Sequence, residues 1–182
     1  MTKVHWAWWL AALAVLGFWM LGAYNRVMGL RGALVTAWQQ LDALIQTRQQ
    51  VIGALLDAAL PSLPGEDSTI AAMVAAQVRL ATAAEVVRRR PAAAEPLEVL
   101  AKAEAATVSA LVRLVALVGQ QRELKADAKV APQLQALTEL APRERFARRV
   151  FNDAAGAYNS AVAQFPTRLL ARLFGFERTG ML

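Results

Sequence analysis

Apolar positions fall into two regimes along this chain, an unbroken N-terminal block and then stripes spaced three and four residues apart. The block runs from Val4 to Ala23, and His5 is its sole polar side chain. Twenty residues in a helix rise about 30 Å, the thickness of a bilayer's hydrocarbon core. Trp6, Trp8 and Trp9 gather at one end, and Tyr24 with Arg26 at the other, where interfacial residues belong. Val4, Trp6, Trp9, Leu13, Trp19 and Ala23 mark the predicted transmembrane anchor, residues 1–23. A cleaved signal peptide fits less well: the run exceeds the usual 7–15 residues, and cleavage after Ala23 would put Leu21 at −3. A buried soluble helix fits less well still, because bulky aromatics fall on every side. Lys3 lies before the block and Arg26 and Arg31 after it, a balance that leans toward a cytoplasmic domain.

Beyond the block, Val27, Leu30, Leu34, Ala37, Leu41, Leu44, Val51, Leu55 and Ala58 form a helical stripe, with Arg48 in the one slot that breaks it. Trp38, Ile45, Ile52 and Leu56 widen the face. No proline or cap separates this segment from the anchor, so one continuous helix is expected. Pro61, Pro64 and Gly65 end it. Asp67 or Ser68 would cap a second helix, with Ile70, Met73, Val74, Gln77, Leu80, Ala84 and Val87 inward and Arg88–Arg90 before Pro91. A third helix starts near Glu95 and carries Leu97, Leu100, Val108, Leu111, Val115 and Val118. Residues 120–131 read as turn or frayed helix. The last helix runs from Pro132 to Gln164, with Leu134, Leu137, Ala141, Val150, Ala154, Ala157 or Tyr158, and Ala161 inward; Pro142 kinks or splits it. The pattern predicts an all-α fold: an antiparallel bundle of about four helices over residues 24–182, continuous with an N-terminal transmembrane helix.

Composition narrows the chemistry. Cysteine is absent and His5 is the lone histidine, which removes disulfides, thiolate chemistry, imidazole metal sites and histidine-based triads. The acid pairs Glu66–Asp67, Glu95–Glu98 and Glu139–Glu144 read as solvated helix ends. No glycine-rich phosphate loop is present. The expectation is a non-enzymatic protein without cofactor or metal. The net charge of +6 suits an anionic surface. Arg88, Arg89, Arg90, Arg148 and Arg149 are candidate contacts for one, although dipole complement and solvation explain such charges as well. Nucleic acid is not expected, since neither interleaved aromatics nor a helix-turn-helix accompanies them. Anionic lipid suits an anchored domain better. Ala7 and Ala11 have the small-xxx-small spacing of a transmembrane oligomer contact.

Several segments carry a resemblance. Tyr24-Asn25 follows the anchor, and Trp38 and Asp42 lie within Ala37-Trp38-Gln39-Gln40-Leu41-Asp42. Leu124-Lys125-Ala126 precedes the last helix. Phe146 to Asn159 includes Asn152, Tyr158 and Asn159, and leads into Phe165-Pro166 and Leu173-Phe174-Gly175-Phe176. These resemble the LemA family over nearly the whole chain. Departures are Gly53-Ala54-Leu55 where the family has Pro-Asn-Leu, Glu66 alone where it has His-Glu, and Pro142. The resemblance implies a membrane-anchored helical bundle of unsettled molecular function. The family is often encoded near membrane metallopeptidases or other envelope proteins, which implies the lipid bilayer and a protein as partners. The motif asparagines are expected to hydrogen-bond across the bundle, and Tyr158, Phe151 and Phe165 to pack its core. The segment 169–176 would fold back, bind a partner or touch the membrane.

Overall fold

The computed structural model describes residues 3–164 and 167–182; Phe165 and Pro166 lie outside the described residues, as do the side chains of Lys3, Val4, His5, Ala7, Leu169, Leu170, Arg172 and Leu173. Helix α1 spans Lys3–Ala59 without a break, 57 residues or about 85 Å. A 3-10 turn at Leu60–Ser62 follows, and Pro61 and a left-handed Gly65 (φ 87°) reverse the chain. Helices α2 (Asp67–Arg89), α3 (Ala94–Gln120), the short α4 (Arg122–Ala126), α5 (Ala131–Ala163) and α6 (Thr167–Phe174) complete the order. No strand occurs among the described residues.

Four helices make the bundle, and the shared core residues give its direction. Leu34, Trp38 and Leu41 meet Val87, Leu97, Phe151 and Ala155 at one end. Ile52, Leu55 and Ala59 meet Met73, Leu114, Val118 and Leu137 at the other. Each helix therefore runs opposite to the one before it, α1 up, α2 down, α3 up, α5 down, as short connections favour. A third cluster, of Val27, Tyr158, Ala161, Val162 and Ala171, lies where α1 leaves the bundle. The first turns of α1 project beyond that point, with Trp6, Trp9, Leu13 and Phe18 each more than 60% exposed. By length and composition α1 could cross a membrane; α2 passes the same test but is packed in the bundle.

The helices match expectation more closely than their faces do. Asp67 and Ser68 lie inside α2, whose N-cap is Glu66 and has no side-chain cap bond. Val74 is exposed and Ala76 is buried in its place. On α3, Val108 and Val115 are exposed while Glu104, Thr107, Ala110 and Leu114 are buried. On α5, Ala141 is exposed and Leu140 buried; Tyr158 rather than Ala157 faces in. Pro142 does not split α5. It sits on the exposed side of a continuous helix, where a displaced carbonyl can turn to water. Residues 122–126 are helical, and an Asp127 turn in which the Lys129 amide donates to Oδ1 (2.7 Å) joins them to α5.

Candidate functional site

The two main core clusters are separated by a polar layer, and it begins with the residue that breaks the first stripe. Arg48 of α1 is buried and forks onto Glu104 of α3, with Nη1 to Oε1 at 2.7 Å and Nη2 to Oε2 at 2.6 Å. Nη1 also donates to Glu144 Oε2 of α5 at 2.7 Å. Arg148 adds a bond to Glu104 Oε1 at 3.0 Å. Thr107 donates to the Ala103 carbonyl one turn back, and Gln49 and Gln77 exchange bonds with each other's carbonyls between α1 and α2. Three helices thus meet on one guanidinium.

The two carboxylates experience different fields. Burial alone would raise the Glu104 pKa, but the Arg48 hydrogen bonds, the Arg48 charge and Arg148 outweigh burial and hold it below the usual range. Glu144 has one contact against Glu104's three. Burial dominates there, Arg48 offsets it only in part, and its pKa rises from 4.5 to about 7. Among the described residues, Glu144 Oε1 and Arg48 Nε find no partner. Both residues line a cavity of about 340 Å³ between α3 and α5. An apolar groove of about 580 Å³, lined by Val112, Val115, Ala116 and Leu134, continues from it through Leu111 and Leu137. From the sequence alone Glu144 reads as a solvated helix end, and Arg48 as an interruption of the stripe. The signal that could have joined them was the placement of Arg48, Glu104 and Glu144 on inward positions.

The motif residues hold the structure together. Trp38 packs edge-on against Phe151, ring centroids 6.2 Å apart. Asp42 is buried and accepts from Arg88 Nε at 2.7 Å and Nη2 at 3.1 Å, stapling α1 to α2. The asparagines do not bridge helices as expected. Asn152 donates to the Leu182 carbonyl (2.6 Å) and accepts from its amide (2.9 Å). Asn159 does the same with Thr179 at 2.9 and 2.8 Å. Seven residues apart on α5, they mimic a strand partner for the C-terminal tail. Gly180 lets that tail approach α3, since an added Cβ would lie 3.1 Å from Leu97 Cβ and 3.2 Å from the Ala94 carbonyl. Segment 169–176 folds back: Tyr24 meets Phe174 and Phe176, ring centroids 5.2 and 5.9 Å away. Gly175 (φ 66°) ends α6, with the Phe176 amide donating to the Ala171 carbonyl, the six-to-one bond of a helix-ending left-handed residue. Asn25 is exposed.

The candidate anionic contacts divide. Arg88 and Arg148 are held by buried carboxylates. Arg89 reaches Glu85 at 3.3 Å, while Arg90 and Arg149 are exposed. Arg89 and Arg90 join Arg31 around a cavity of about 200 Å³ at the end of the bundle where α1 departs. Among the described residues no cluster of three or more histidine, cysteine or acidic side chains could hold a metal. The sequence model of the LemA family matches residues 37–182. No curated protein matches the chain.

Proposed function

The chain belongs to the LemA family, and from that premise we propose a single-pass membrane-anchored, non-enzymatic binding protein of the cell envelope. The observation that carries this reading is α1 itself: one helix whose first part is apolar and exposed and whose second part is a bundle wall. A helix without a joint transmits position, so the bundle stands at a fixed height above the bilayer. The groove beside α3 supplies the binding face. It exposes Val112 and Val115 in a channel between antiparallel helices, a shape that accepts a third apolar helix. The occupant that fits is an amphipathic helix of a neighbouring membrane protein.

A photo-crosslinking residue at Val112 in the full chain, in native membranes, tests this. The expected result is one discrete adduct that Val115→Glu abolishes and that Val99→Glu, outside the groove, leaves intact. No adduct, or equal loss with both variants, sinks the binding role.

A second reading, a module that engages anionic lipid, is favoured by the arginines at the anchor end of the bundle. Arg26, Arg31, Arg89, Arg90, Arg168 and Arg178 are all exposed there.

A further inference from the structure

The small cavity at the anchor end is built from segments far apart in sequence. Arg31 comes from α1, Arg89 and Arg90 from the end of α2, Tyr158 from α5, and Glu177 from the tail. Three arginines and one glutamate thus line it, and Arg89 also reaches Glu85 at 3.3 Å. The tail wall stays in place because Gly175 turns the chain out of α6 and Asn159 grips Thr179. Tyr158, buried in the bundle, is among its lining residues. Burial pushes its phenol up, with Arg31 acting against the shift and Glu177 with it, so the hydroxyl stays a hydrogen-bond donor at neutral pH. A pocket of about 200 Å³ lies below the roughly 300–1,000 Å³ range of drug-sized ligands. It suits one compact anionic group.

Its height selects the source of that group. Arg31 is eight residues beyond Ala23, about 12 Å along a helix axis. Headgroups occupy roughly the first 5–8 Å outside the hydrocarbon core. Arginine side chains extend toward an interface, and their forks match phosphate oxygens in pairs. Phe176 is a wall of the cavity, and Tyr24 and Phe174 pack against it to form an aromatic cluster, as an aromatic belt would. We propose that Arg31, Arg89 and Arg90, above Tyr158, form a site for the phosphate of an anionic lipid headgroup. This rests on the reading of α1 as a membrane anchor.

The test uses the full chain in nanodiscs of phosphatidylcholine with a minor fraction of phosphatidylglycerol. Lipid retained after transfer to a neutral detergent is counted by native mass spectrometry. The wild type should retain phosphatidylglycerol in preference to phosphatidylcholine. Arg31→Gln with Arg90→Gln should weaken that retention by roughly tenfold for each arginine removed, on the scale of a charge-assisted hydrogen bond. Arg113→Gln with Arg122→Gln, the same charge change on α3 and α4, should leave it intact. Equal loss in both pairs, or no preference in the wild type, overturns the site. Displacement of the lipid by inorganic phosphate at matched concentration overturns the lipid assignment. Flotation with pure phosphatidylcholine vesicles scores the anchor separately: chains that float without preferring phosphatidylglycerol have lost the site and kept the anchor. Both arginines in the first pair are exposed, and a helical melt for each variant identifies any that fail to fold.

Discussion

Replacing Arg48 with methionine should be among the most damaging single changes in the bundle. The guanidinium is shared by Glu104 and Glu144 and lies in the core. Without it Glu104 keeps only Arg148, itself about a third exposed, and Glu144 keeps no partner. Breaking a buried pair from one side costs about 3–5 kcal/mol, because a desolvated charge is left behind. Net stability of a domain is only about 5–15 kcal/mol. The loss should also depend on pH. Glu144 titrates near 7 with Arg48 present; without that charge it takes up a proton more readily. At about pH 6 it is neutral, and the cost falls toward the lower end of the range; at about pH 8.5 it approaches the upper end. Urea unfolding of the full chain in a nonionic detergent, followed by far-ultraviolet circular dichroism at both pH values, gives the difference. The triple change Arg48→Met, Glu104→Leu, Glu144→Leu removes every charge that Arg48 serves and should recover most of the loss, since apolar substitutes for buried ions are often neutral or better. A single variant within about 0.5 kcal/mol of wild type, or a triple variant no more stable than the single one, would show that the Arg48 layer is not the desolvated charge network described above.

Glu144→Gln tests the same layer from the other side. The wild-type carboxyl binds its proton more tightly folded than unfolded, so its contribution is full below about pH 4.5 and is lost as pH rises through about 7. The variant should flatten that slope and gain stability over wild type above neutrality, by at most about 3 kcal/mol and by less where water entering the cavity screens the charge. Asn159→Ala removes both bonds to Thr179; tail amides should exchange faster by hydrogen-exchange mass spectrometry while the α1 and α5 cores stay protected. Trp38→Ala should cost about 3–5 kcal/mol in urea midpoint analysis, the range for a large aromatic lost from a packed core. Gly175→Ala, forced into φ 66°, should cost about 1 kcal/mol and loosen α6 before the bundle.

The helices and their order were legible because apolar spacing, proline and glycine speak for local structure. The inward faces were less so. Counting only apolar residues placed Val108 and Val115 in the core, whereas α3 turns Glu104 and Thr107 inward. A polar core residue is invisible to a hydrophobic stripe unless its partner is known, and the partners here lie 56 and 96 residues from Arg48. The asparagines show the same limit: polar side chains on otherwise apolar helices point to hydrogen bonds across the bundle, but nothing local indicates that the C-terminal tail receives them. Pro142 illustrates the reverse. Its local rule predicts a kink or a split, and α5 runs on through the exposed proline without a split.

In the proposed arrangement one uninterrupted helix passes from the bilayer into the bundle. The chain has no cysteine, so single spin-labelled cysteines at Leu13, Trp19, Met28 and Thr36 in vesicles can report depth along α1. Oxygen should relax the labels at 13 and 19 most strongly and a water-soluble nickel complex those at 28 and 36, with helical order throughout. Equal nickel access at all four positions, or a mature protein without the first two, would mean that α1 does not enter the bilayer.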